Sequence, residues 1–308
     1  MINRLALVFV FLSLAVSTTA QTIDDGIMVA ERSLFTGDIY GHDAWDHYWE
    51  GALKRENGNI GTVTTQTNLW YANYGVTDRL NVIAMVPYVW TEASQGVLHG
   101  SQGFQDLTMA AKWNFFHRPS TKAGAVRTFA VVSAGIPLTD YNIELLPLSI
   151  GNRSSRLSGR FTANVQTGPG WYVDGSTAYT WRSSTTLDRP YFFTNDEFVM
   201  SDEVNMPNVF DYAVHVGYLK NGLNTHFAFS RQQTLGGGDI RRQDMPFVSN
   251  RMNFIKLGGM AMYPVPKLNA LAVQFSYAYT ATGRNVGQAN SMTIGLLYTF
   301  NSRRSPTQ

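Results

Sequence analysis

"DLTMAAKWNFFH", residues 106–117, alternates. In an extended chain successive side chains point to opposite faces, so Leu107, Met109, Ala111, Trp113 and Phe115 share one side. Asp106, Thr108, Ala110, Lys112 and Asn114 share the other. One face is greasy and aromatic, the other polar. The fold turns on whether the greasy face meets a protein core or lipid.

Composition narrows the answer. The chain has 308 residues with 15% charged, 13% aromatic and 27 Gly. Soluble domains carry roughly 25% charged residues. Few charges, many aromatics and much Gly suit a β-rich protein with one face out of water. A net charge of +2 gives no electrostatic case for nucleic acid, and none is expected as a partner.

The first twenty residues, "MINRLALVFVFLSLAVSTTA", place Arg4 before an apolar run from Leu5 to Val16. Thr18 and Ala20 then stand at −3 and −1 of a cleavage site. This is the layout of a secretory signal peptide, and the run is too short to span a bilayer as a helix. Cleavage is expected after Ala20. The chain has no Cys, so it can hold no disulfide and no lipoprotein anchor. No later window reaches about 18 apolar residues. An exported chain of this kind is periplasmic, secreted, or a β-barrel of an outer membrane.

From residue 44 onward the alternation recurs between turn signals. The expected strands are 44–55, 61–74, 78–90, 106–117, 125–137, 158–168, 170–182, 208–220, 222–231, 250–263, 268–280 and 288–300. At about 10–14 residues they exceed the usual 5–6 and match the 9–11 of a tilted membrane strand. Their connections alternate between short (75–77, 118–124, Pro169, 221, 264–267) and long (91–105, 138–157, 183–207, 232–249, 281–287). Short turns on one rim and long loops on the other is the asymmetry of outer-membrane barrels. An even strand count returns both ends to the short-turn rim. The strand at 44–55 is inferred partly from that parity, since "AWDHYWEGALKR" also suits a short helix. Other outward sets follow, such as Trp171, Val173, Thr177, Tyr179 and Trp181, with aromatics toward strand ends as in interfacial girdles.

The fold expected is therefore an all-β transmembrane antiparallel up-and-down barrel of twelve strands. Residues 1–20 are a signal peptide, 21–43 a periplasmic or plug segment, 44–300 the barrel and 301–308 a polar tail. The partners expected are membrane lipid, lipopolysaccharide and a small hydrophobic solute. The last strand, "TIGLLYTF", carries Thr293, Gly295, Tyr298 and Phe300. It matches the terminal-strand signature through which such barrels meet their insertion machinery.

"YGVTDRLNVIAMVPYVW" (74–90) followed by "GFQDLTMAAKWNFF" (103–116), with "AGIPLTD" at 134–140, resembles the outer-membrane family known as the MetA-pathway of phenol degradation. Its members look like distant relatives of long-chain fatty-acid channels. The resemblance implies a barrel that binds or passes small hydrophobic, often aromatic, compounds, and it brings no catalytic residues with it. Read physically, the motif is structural. Gly75 and Asp78 suit a tight turn, and Pro87 is placed where a strand leaves the membrane.

The inward faces define the candidate lumen. Asp106, Lys112, Arg160, Asp174, Asp211 and His215 are charged or titratable, whereas Ile83, Met85, Phe129, Val131, Phe254 and Met260 are apolar. The apolar stripe suits a route for a hydrophobic solute, or a surface that packs against a plug. In the longest loop Tyr191, Phe192, Phe193 and Phe198 form a candidate outer lip, or fold inward over the pore. No catalytic, cofactor or metal residue is assigned. The acidic "IDDG" lacks a calcium-loop spacing. His226 and Ser230 in "HFAFS" lie about 13 Å apart on a strand, too far for a nucleophile and its base. The function expected is passive passage of small hydrophobic or aromatic compounds. A structural or adhesive barrel is the alternative, and an outer-membrane lipid hydrolase a weaker one.

Overall fold

The computed structural model describes residues 22–301 apart from 122–123, 195–196, 242–244 and 269. The expected signal peptide and residues 302–308 of the tail lie outside the described residues. Twelve long strands follow one another: β1 (Ser33–Trp45), β2 (Val63–Thr77), β3 (Leu80–Ala93), β4 (Asp106–Thr121), β5 (Gly124–Pro137), β6 (Arg156–Gln166), β7 (Trp171–Arg182), β8 (Val209–Lys220), β9 (Leu223–Thr234), β10 (Asn253–Pro264), β11 (Leu271–Arg284) and β12 (Asn290–Asn301). Each pairs antiparallel with its sequence neighbours, and β12 pairs back onto β1 from Ser33↔Asn301 to Ala44↔Asn290. The sheet is therefore closed. Closure leaves no edge, which is the condition for placing a sheet in hydrocarbon.

Short turns join the strands on the rim that holds both ends of the sheet. The turn at Asn221-Gly222 has φ of +53° and +81°, the paired left-handed geometry of a two-residue hairpin. Loops on the opposite rim are long and carry small hairpins of their own, such as Phe192–Thr194 against Glu197–Val199.

The greasy face of the opening stretch is on the outside. Met109 and Trp113 are half exposed, whereas Lys112 is fully buried on the inner side. The same holds for Val132, Phe161, Trp171, Val173, Val216, Phe275, Ile294 and Leu296. A water-soluble barrel would not present so continuous an apolar wall.

The first strand differs from expectation. The barrel begins at Ser33, and the stretch expected as a strand at 44–55 instead ends β1 and forms a rim hairpin of His47–Glu50 with Leu53–Glu56. The reason is physical. Outward positions of β1 include Thr36, Asp38 and His42, and the facing positions of β2 are Ala72, Trp70 and Gln66. Asp38 is exposed on this outer wall. The apolar-outside rhythm that marks the other strands is broken there.

Pro87 also differs. It lies within β3, which continues to Ala93, and not near the strand's end. Beside it the β4 ladder, which runs from Leu80↔Trp113 to Met85↔Thr108, stops; pairing resumes with Gln102–Phe104. Proline has no N–H for that ladder, but its carbonyl still accepts from Gln105 N (3.0 Å).

Candidate functional site

Residues 22–31 rise into the barrel from the short-turn rim. Arg32 N donates to the Gly75 carbonyl at 2.7 Å and Glu31 N reaches Asp78 Oδ1 at 3.4 Å, so the segment enters beside the β2–β3 turn. Above this, Asp25, Ile27 and Val29 are 5%, 4% and 3% exposed. Val29 and Ile23 join a core with Ile83, Ala110, Val131 and Met262, packed by Met85 and Met260. The apolar inward stripe is therefore the seat of a plug. It is covered in this state and does not form an open route.

Polar anchors flank that seat. Lys112 Nζ donates to Asp25 Oδ1 at 2.6 Å and to the Thr22 carbonyl at 2.9 Å, with the Phe129 ring centroid 5.4 Å away. Gly26 N donates to Asp174 Oδ2 at 3.1 Å. A buried ammonium is tolerable only when paired and hydrogen-bonded, and the plug supplies both partners of Lys112. Of the "IDDG" acids, Asp25 is thus spent on the lumen wall, whereas the Asp24 carboxylate accepts from Thr22 Oγ1 within the segment. Among the described residues no group of three His, Asp or Glu is arranged to hold a metal.

The other charged lumen candidates pair along the wall. Arg160 Nη2 meets Asp211 Oδ1 at 2.6 Å, and Arg156 Nη2 meets Asp106 Oδ2 at 3.0 Å. Asp106 also accepts from Tyr141 Oη at 3.0 Å, which ties the wall to the loop between β5 and β6. The His215 and His226 ring centroids lie 4.7 Å apart with the rings tilted by 36°, and Tyr172 Oη lies 3.0 Å from His226 Nδ1. His226 is thus committed to these neighbours. Phe254 faces inward with Lys256 Nζ 5.3 Å from its ring. Beside the plug a cavity of about 250 Å³ remains, lined by polar groups including Thr22, Asp24, His215, His226, Lys256 and Gln274.

The long loops close the other end. Val89, Tyr141, Ile143, Leu187, Phe192, Met206 and Val248 form a second apolar core there. The expected outer lip divides accordingly. Phe192 is buried and stacks on Phe247 at 5.4 Å, whereas Tyr191, Phe193 and Phe198 stay exposed. Phe193 lines a cavity of about 580 Å³ with Ile143, Leu187, Met245, Phe247, Arg189 and Arg241. Arg241 lies 4.3 Å from the Phe193 ring centroid, and Arg189 Nε bonds Glu144 Oε1 at 2.5 Å. At its edge the Arg284 guanidinium holds the Asp239 carboxyl below the usual carboxylate range.

The family model described as "Putative MetA-pathway of phenol degradation" matches residues 58–295, most of the barrel. The chain belongs to this family. An outer membrane channel of Pseudomonas putida F1 is 16% identical and superposes with a TM-score of 0.70, covering 91% of this chain and 100% of that one. The likeness establishes the fold as that of a bacterial outer-membrane barrel. The Pseudomonas putida toluene transporter TodX is 10% identical at a TM-score of 0.36, covering 88% and 89%. No curated protein matches the chain.

The stretch that carries the resemblance to the MetA-pathway family acquires a second role. The turn is made by Asp78 with Arg79, whereas Gly75 lies within β2 at a register shift against β3; both Gly75 and Asp78 hold the base of the plug through Arg32 and Glu31. A Cβ at Gly75 would come within 2.1 Å of the Ala30 carbonyl oxygen. Sequence reasoning missed Asp24, Asp25 and Gly26 as lumen groups. The signal that pointed to them was the inward Lys112, an ammonium that needs a carboxylate neighbour once buried.

Proposed function

We propose that this barrel passes small hydrophobic or aromatic compounds passively across the outer membrane. Solute enters at the loop cavity and crosses when residues 22–31 leave the lumen. The observation that carries the reading is the 580 Å³ cavity among the long loops, whose lining includes Phe193, Phe247, Ile143, Leu187 and Met245. Its surface is divided about evenly between apolar side chains, which a hydrophobic ring can pack on, and polar groups that can orient a solute, among them Glu144, Arg189, Asp239 and Arg241. Truncating Phe193 and Phe247 to Ala together removes its aromatic walls, and uptake of radiolabelled toluene by intact cells is expected to fall about tenfold, on aromatic contributions of ~0.5–1.5 kcal/mol each. Phe198→Ala, outside the cavity lining, leaves uptake unchanged. Uptake equal to that of cells lacking the protein would refute the reading.

A structural barrel without transport is the second reading, and the filling of the lumen from both ends favours it. Membrane lipid and lipopolysaccharide are the expected partners of the outer wall. On β12, Tyr298 and Phe300 lie with ring centroids 4.4 Å apart, and Thr293 bonds Ser276 at 2.6 Å. We assign β12 to the insertion machinery, with Tyr298 and Phe300 on its outer face and Thr293 and Gly295 on its inner one.

A further inference from the structure

The plug brings two carboxylates, Asp24 and Asp25, into a lumen whose wall already holds more cations than acids. Lys112, Arg127, Arg156, Arg160, Arg182 and Lys256 face inward, against Asp43, Asp106, Asp174 and Asp211. Lys112 is fully buried, and Asp25 Oδ1 takes both its ammonium at 2.6 Å and the Ile27 N–H at 3.0 Å. The contact is charge-assisted and desolvated. The Phe129 ring lies beside the ammonium, and Ile83 and Val131 are buried on the same wall. Without residues 22–31 this place would be a cation above an aromatic and aliphatic floor.

We propose that the seat of Asp25 is a binding site for a small carboxylate with an apolar body, and that the N-terminal segment occupies it as an internal competitor. The segment mimics such a ligand: a carboxylate on Lys112, with the side chains of Ile23 and Val29 in the apolar core around it. A solute of that class would exchange with the plug on Lys112. Opening would then be linked to binding, because a ligand that favours one state shifts the population toward it. This inference rests on the passage reading and narrows its substrate class to aromatic acids.

The full-length Asp25→Asn chain tests it in planar bilayers, with barrel integrity checked by the heat-dependent shift in gel mobility. Removing the carboxylate leaves Lys112 unpaired under the plug, and hydration of that ammonium favours the open state. Asp25→Asn is expected to conduct where the parent is closed. Benzoate should block its current at a concentration at least tenfold lower than it blocks Asp25→Asn/Lys112→Met, or Asp25→Asn/Lys112→Gln if the former does not fold. Toluene, the same ring without charge, should not distinguish these channels. A closed Asp25→Asn channel overturns the proposal, as does benzoate block indifferent to residue 112. Toluene uptake by cells bearing the parent protein can persist in either case, so the passage reading fails or stands separately.

Discussion

Gly26→Val is expected to turn a closed barrel into a conducting one. A Cβ at position 26 would fall 2.3 Å from Asn164 Cβ and 2.6 Å from Asp174 Oδ1. Neither neighbour is free to yield, because Asn164 donates to Asp174, which also receives Gly26 N. Overpacking a fitted interior costs about 1–3 kcal/mol. Here the chain has a cheaper response than straining the wall, which is to withdraw the segment. A destabilisation of only ~1.4 kcal/mol multiplies the population of the undocked state tenfold. Single-channel recording should show open probability higher by at least about that factor. Gly159→Val is the control, since a Cβ there meets nothing within 4 Å. A Gly26→Val channel as silent as the parent would show that residues 22–31 do not close the lumen.

Val216→Arg is expected to cost about 2–4 kcal/mol of folding stability in phospholipid vesicles, as a basic side chain does at mid-bilayer on a barrel exterior. Val216 is 49% exposed and sits between Val173 and Phe227 on the outer wall, so its exposure is to acyl chains. The same change at Val97, 90% exposed in a long loop, should stay within ~0.5 kcal/mol. Reversible urea unfolding measures both. Equal effects at the two positions would mean that water wets the wall at Val216.

The barrel was legible because lipid imposes a strict rule on every spanning strand. Trp113, Phe161, Val173 and Phe275 all had to face outward, and period-two alternation shows it without any partner. β1 was not legible because Thr36, Asp38 and His42 occupy its outer positions. Among the candidate lumen residues, Ile83, Phe129, Val131, Lys112 and Asp174 are all buried. Their use was not readable. Whether Ile83 and Val131 meet solute or plug depends on where residues 22–31 go, and that is settled by the long-range pair of Lys112 with Asp25. Likewise Phe192 and Phe193 are adjacent in sequence but one is buried and the other exposed, a distinction made by the Phe247 loop.

The most direct test of a lipid-wetted cylinder with an occupied lumen returns to residues 106–117. Because the chain has no native Cys, single cysteines can be placed from Leu107 to Phe115 and spin-labelled in bilayers. The account predicts oxygen accessibility with a period of two: high at Leu107, Met109, Ala111, Trp113 and Phe115, low at Thr108, Ala110, Lys112 and Asn114. High accessibility to a water-soluble nickel chelate at Met109 or Trp113, or no alternation at all, would contradict it.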